Sequence, residues 1–262
     1  MTSASRANVV SSFTMVKGSM IPETYEVLAH WDFELSKKAN LDRLREQNYI
    51  GAQSANWLRD VAKVLNRRLD PDGRDRALVV LAKGGFPIDE WKPLLLWHIT
   101  RDEFLLRDFL VNWLFVAHQE GVYRVRPEDL HDYLRSLGSR GGETEHEWTE
   151  ATLERVAAGL LKISADFGFL YGSGVKEFAH YHLPERSLTY LLRAVLQHEA
   201  GSPRRMLDSV EWRMYLMSEE DVRDELLRLH QFRRVHFEAA GSMVQLSMEL
   251  QSPLEFAEDL VA

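Results

Sequence analysis

Apolar positions recur at helical spacing over most of the chain, so the elements they predict are chiefly helices. Pro22 and Glu23 place a proline and an acid where a helix N-terminus takes them, and Tyr25, Leu28 and Ala29 follow on one face. The stretch "NLDRLREQN" predicts a short helix with Asn40 as its N-cap. Gly51 then makes a turn, and Ser54 caps a helix over about 54–69. Leu58, Val61, Leu65 and Leu69 stand there at i, i+3, i+7 and i+11, with Trp57 and Val64 widening the stripe. "DPDGR" stops this helix through Pro71 and Gly73. Further helical patterns cover 74–82, about 88–99, 101–118 and about 127–137, the last opened by Pro127. The first twenty residues read as a loose arm or one short element.

The Gly- and Ser-rich stretch "SLGSRGGETE", 136–145, is the candidate linker. Beyond it the pattern changes: a helix leads into two short strands around "GSG", and residues 218–250 repeat that plan. Ser218 with Asp221 forms a capping-box start, and Val235, Phe237, Ala239, Val244, Leu246 and Met248 then alternate as a hairpin does. Helix followed by hairpin is the outline of a winged helix. The expected fold is therefore mostly α. Residues 1–138 would form a helical domain with a helix-turn-helix-like unit near 40–69, and residues 139–262 a winged-helix-like part with two small β-hairpins.

Composition narrows the class. The 262 residues, 45% hydrophobic and 27% charged, suffice for a full core. There is no cysteine, which excludes disulfides and thiolate metal or redox sites and suits a cytoplasmic location. "MTSASRANVVSSFTMVKGSM" lacks the pattern of a secretory signal. The runs "WKPLLLWHI" and "RDFLVNWLFVAH" are each about half the ~20 residues of a membrane span, so no membrane partner is expected.

The net charge of −8 is unevenly spread. Residues 1–83 hold 13 Lys and Arg against 10 Asp and Glu, whereas the remainder holds 19 against 30. Such asymmetry points to a local basic surface on an acidic protein.

Enzyme motifs are missing: there is no phosphate loop, dinucleotide fingerprint, HExxH or GxSxG. "EHE" (145–147) and "HYH" (180–182) come nearest to metal clusters, the second through two rings on one strand face. No third ligand is suggested near "HYH", and no metal, cofactor or catalytic residue is assigned.

The helix over 54–69 carries the stronger signal. Asn56, Arg59, Lys63, Asn66 and Arg67 share one polar stripe opposite the leucines. Arg68, Arg74 and Arg76 extend the charge, while Asp60, Asp70, Asp72 and Asp75 dilute it. In a helix-turn-helix, Gln53, Ser54 and Asn56 would approach base edges, and Arg59, Lys63 and Arg67 would hold phosphates. A merely solvated helix also shows Arg and Lys opposite its leucines, so the stripe alone leaves both readings open. Arg233 and Arg234, at the mouth of the last hairpin, form a second basic candidate. The helix before them carries Glu219, Glu220, Asp221, Asp224 and Glu225, which repel phosphate.

"SFTMVKGSMIPETYEVL", followed by "REQNYIGAQSANWLRDVAKVLNRRL", resembles the opening of the BrxA family, small accessory proteins of BREX bacteriophage-exclusion systems. The likeness lies in the order of parts. Lys-Gly leads to a Pro-Glu helix start, then to Glu-x-Asn, then to Ser and a helix ending Arg-Arg-Leu. It is most specific over 12–70, continues through the helical part, and aligns the C-terminal hairpins only loosely. The resemblance implies a non-enzymatic nucleic-acid binder, similar in its description to RNA-binding antitermination proteins. It implies a methyltransferase, an ATPase and a phosphatase-like protein as partners. It bears on Ser54, Asn56, Arg59, Lys63, Arg67 and Arg68, which lie inside the matching stretch. The resulting expectation is double-stranded DNA binding with low sequence specificity. RNA binding and a protein-interaction scaffold are the alternatives.

Overall fold

Ser11 opens the first helix, its hydroxyl accepting from Thr14 N at 3.3 Å. The computed structural model describes residues 8–144, 146–241, 243–249 and 252–262. Helix α1 (Ser12–Lys17) packs on a long helix from the second half of the chain, so from Asn8 onward the N-terminus is built into the body. Helix α2 (Ile21–Ala29) carries Pro22 in its first turn, as expected. Helix α3 (Lys37–Gln47) begins earlier than the sequence suggested, because Ser36 caps it by accepting from Ala39 N. Asn40 is not the cap. Its buried amide donates to Asp32 O at 2.8 Å and accepts from Asp32 N at 2.9 Å, closing the loop before the helix.

Asn48, in the left-handed region at φ +46°, ends α3 and bonds Ala52 in both directions. Helix α4 (Ala55–Arg68) follows, capped by Ser54, and buries Leu58, Val61, Ala62, Val64 and Leu65. The connection over 48–54 is longer than the roughly three- to four-residue turn usual in a helix-turn-helix. Next come α5 (Arg76–Lys83) and α6 (Ile88–Ile99), the latter exposed in its first turn and buried from Trp91 onward except at Lys92. The helix expected over 101–118 is α7 (Phe104–Phe109) running through a π turn, Leu110–Leu114, into α8 (Phe115–Gln119). A 3-10 turn at Pro127–Leu130 leads into α9 (His131–Arg135).

Before that turn lies a strand the periodicity did not show, β1 (Arg124–Val125). It pairs beyond α10 (Glu150–Asp166) with the hairpin of β2 (Leu170–Tyr171) and β3 (Lys176–Phe178). The result is a three-stranded antiparallel sheet, order β1-β3-β2, with Glu177 opposite both Arg124 and Tyr171. Helices α11 (Glu185–His198), α12 (Pro203–Leu207) and α13 (Glu219–Gln231) follow, α13 opened by the expected Ser218–Asp221 capping box. The hairpin of β4 (His236–Ala240) and β5 (Met243–Ser247) and the short α14 (Pro253–Asp259) end the chain. The protein is mostly helical, with small β-hairpins in its C-terminal part.

The stretch 136–144 is packed rather than loose. Leu137 is buried, Arg140 donates to the Asp108 carboxylate at 2.9 Å, and Val10 N donates to Glu143 O at 2.8 Å. Glu145 lies outside the described residues, and so does this part of the "EHE" stretch. One hydrophobic cluster runs from Val10 to Ala257, and Tyr215 donates to Pro93 O at 3.0 Å across the two halves. Among the described residues, no helix is long and apolar enough to cross a membrane.

Candidate nucleic-acid interface

Helix α4 turns its leucines inward, which leaves the opposite stripe in water. Gln53, Ser54, Asn56, Arg59 and Lys63 are all exposed there. Ser54 spends its hydroxyl on Trp57 N, 3.2 Å away, so it fixes the helix start. The Arg59 guanidinium donates to the Asn56 amide oxygen one turn back. The Lys63 ammonium sits 4.2 Å from the centroid of the Phe13 ring, and no carboxylate among the described residues pairs with it. Asp60, the acid on this side of the helix, is held by Lys17 at 2.5 Å. Lys17, on α1, was not singled out from sequence, because its carboxylate partner is distant in the chain.

Further along the helix the cations turn inward. Arg67 is half-buried, donates to Val9 O at 2.8 Å and lies 3.5 Å from Glu103. Arg68 is a correction to the sequence reading. Only 2% exposed, it contacts Glu103 Oε1 at 3.2 Å and donates to the carbonyls of Gly18, Ser19 and Thr14. Burial pulls its pKa down, and the Glu103 charge and hydrogen bond oppose that. It cannot reach a phosphate. The helical spacing held the signal, since position 68 is i+3 from Leu65 and i+7 from Val61, on the buried stripe. Arg74 and Arg76 are likewise occupied, the first by Asp75 and Asp102 and the second over the Phe33 ring at 3.9 Å.

The second candidate lies at the far end of the chain. Arg233 closes α13 in the left-handed region at φ +58°, is exposed, and makes no ion pair with a described residue. Arg234 stands 3.5 Å from Glu185, whose other oxygen takes Arg228 at 2.9 Å. Both line a groove of about 780 Å³ between α11, the last hairpin and α14, which Arg186 and Arg193 also line. Neither of those two was picked out from sequence. Burial lowers the Arg193 pKa to about 10, against the pull of Asp259. Of the α13 acids, those at 219–221 and 224 are exposed, whereas Glu225 is half-buried and pairs with Arg228 at 2.9 Å.

The histidines of "HYH" do not share a strand face. His180 and His182 are exposed and lie outside any strand, beyond the end of β3. Among the described residues, no three His, Asp or Glu side chains are grouped to hold a metal ion. What remains is an exposed basic stripe on α4 with its one acid neutralised, and a smaller basic site at the last hairpin.

A family model for BrxA matches residues 11–194. The chain belongs to the BrxA family. The matched part of this BrxA-family chain runs from the cap of α1 into α11, so it contains the whole α4 stripe. It stops before α13 and the last hairpin, leaving Arg233 and Arg234 outside. No curated protein matches the chain.

Proposed function

We propose that this BrxA-family protein is a non-catalytic component of a BREX phage-defence system that binds double-stranded DNA through ionic contacts. The observation that carries the reading is the α4 stripe: Asn56, Arg59 and Lys63 face solvent, and Lys17 has already cancelled Asp60. Phosphate neutralisation releases condensed counterions, so binding of this kind is strong at low salt and falls steeply as salt rises. In this reading α3 and α4 act as a helix-turn-helix-like pair with a lengthened connection. The exposed start of α4, at Gln53, Ser54 and Asn56, is the part nearest base edges. So few groups give little sequence selectivity. The hairpin β4–β5 serves as a wing, with Arg233 and Arg234 touching the backbone outside the groove.

A mobility-shift titration of duplex DNA at two salt concentrations tests this reading. Steep weakening with salt is expected, with unrelated sequences bound alike. Competition with structured RNA separates the antitermination-type alternative, because A-form helices present 2′-hydroxyls and a different groove.

One observation favours a second role beside the first. Glu219, Glu220, Asp221 and Asp224 form an exposed acidic start to α13 that nucleic acid would avoid, which suits contact with another BREX protein: the methyltransferase, the ATPase or the phosphatase-like component. A pull-down that survives nuclease treatment and fails when these acids are replaced tests it.

A further inference from the structure

A pocket of about 630 Å³ opens beside the α4 stripe. Lys63, Asn66 and Arg67 line it from α4, Phe13 from α1, and His146 and Trp148 from the segment leading into α10. That volume falls within the roughly 300–1,000 Å³ of small-ligand sites. Its charge is unbalanced. Glu103 answers two guanidinium groups, Arg67 at 3.5 Å and Arg68 at 3.2 Å, so one positive charge is left over. Arg68 is sealed in the core, which leaves Arg67 as the member of the pair that borders the pocket. Among the described residues, Lys63 adds a second charge without a carboxylate partner, and the exposed Glu147 is the one acid of the lining. Two half-buried aromatic rings, Phe13 and Trp148, flank these cations. Asn66 adds an amide that can both donate and accept.

Cations for a phosphate, a ring face for a base and an amide for its edge together describe one ligand chemistry. We propose that this pocket takes a single unstacked nucleotide, with its phosphate on Lys63 and Arg67 and its base against Trp148. Stacking on an indole tolerates any base, so the site selects the nucleotide as a class and not a particular base. The same chemistry has two sources: a free nucleoside monophosphate, or the last nucleotide of a strand bound along α4. The second source rests on the DNA-binding reading above, and the first does not.

Calorimetric titration of the full chain with dAMP, deoxyadenosine and inorganic phosphate tests the pocket. The expected result is that dAMP binds and that each fragment binds far more weakly. Trp148→Ala weakens dAMP binding roughly 5- to 150-fold, while Trp148→Phe, which keeps a stacking face, retains most of it. Blunt-duplex affinity is unchanged in Trp148→Ala. Arg59→Ala does the reverse, weakening blunt duplex and sparing dAMP. A duplex with a single-stranded overhang identifies the source. Tighter binding than blunt duplex, lost in Trp148→Ala, assigns the strand end; equal binding assigns the free nucleotide. Two results overturn the proposal: a wild-type chain that neither binds dAMP nor prefers the overhang, or dAMP binding that a normally folded Trp148→Ala leaves intact. Retained dAMP binding with no duplex binding removes only the α4 reading.

Discussion

Arg68 Nε and Glu103 Oε1 lie 3.2 Å apart, with both side chains 2% exposed. The pair ties the end of α4 to the residue that precedes α7. Three carbonyls from the α1 region, at Thr14, Gly18 and Ser19, accept from the two terminal nitrogens of the guanidinium. Thr14 Oγ1 donates to the other Glu103 oxygen at 3.0 Å. A buried charge pair is seldom a large net source of stability, but removing one member strands the other away from water. Arg68→Ala is therefore expected to destabilise the fold by about 3–5 kcal/mol in urea denaturation. Arg59→Ala, on the exposed stripe of the same helix, should stay within about 0.5 kcal/mol of the parent. Equal costs at the two positions would contradict the division of α4 into a buried structural face and a solvent-exposed one.

Acid should loosen the junction of α5, α6 and α11. Asp75 is fully buried and accepts from His98 Nδ1 at 2.6 Å, from Asp70 N at 2.6 Å and from Arg74 Nε at 3.1 Å. The other side of the His98 ring meets the Tyr190 hydroxyl at 2.8 Å. Burial works to raise the Asp75 pKa, but the hydrogen bond and charge of His98, with Arg74, outweigh it and hold the carboxyl below its usual range. A depressed folded pKa contributes stability above the unfolded value, near 3.9, and loses it as pH falls through the folded one. The thermal midpoint followed by circular dichroism should therefore fall below about pH 4. Asp75→Asn should lower that midpoint at neutral pH and flatten its acid dependence.

Helix α1 reaches its place because α10 has no side chain in the way. A Cβ at Gly159 would come within 2.5 Å of Met15 O, a backbone atom with little room to retreat. Gly159→Ala should cost about 1–3 kcal/mol by thermal denaturation. At Gly138 a Cβ would meet nothing within 4 Å, so Gly138→Ala is the near-neutral control.

The last hairpin should add affinity without adding selectivity. Arg233 is unpaired among the described residues, whereas Arg234 shares Glu185 with Arg228. Arg233→Ala is expected to lower the slope of log affinity against log salt by about 1 for every duplex sequence tested. Arg234→Ala should do less, because its charge is already partly answered. Sequence-dependent losses at Arg233 would show base reading in place of phosphate contact.

How far these features were legible depends on where each residue's partner lies. The α4 stripe, the Ser54 cap and the Ser218–Asp221 capping box come from spacing within one segment, and the structure has them where the spacing put them. Asn40 is not the cap because the helix already starts one turn earlier, at Ser36, and the asparagine amide serves the loop at Asp32 instead. Strand β1 is two residues long and exists only because β3, some fifty residues later, pairs with it, so no local periodicity could announce it. Arg68 lay between these cases. Its position on the leucine stripe was visible, but Glu103, the group that makes its burial tolerable, is brought to it by tertiary packing alone. The pocket beside α4 was invisible for the same reason, since Phe13, Lys63 and Trp148 meet only in the fold.

The proposed duplex binding rests on the charges of Arg59 and Lys63. The decisive measurement is the mobility-shift affinity of Arg59→Ala/Lys63→Ala against wild type, from low to moderate salt, on two unrelated duplexes. Weaker binding to both duplexes alike is predicted, with the salt slope reduced by about 2 and the thermal midpoint unchanged. An unaltered slope in the double variant, or wild-type binding indifferent to salt, would contradict it.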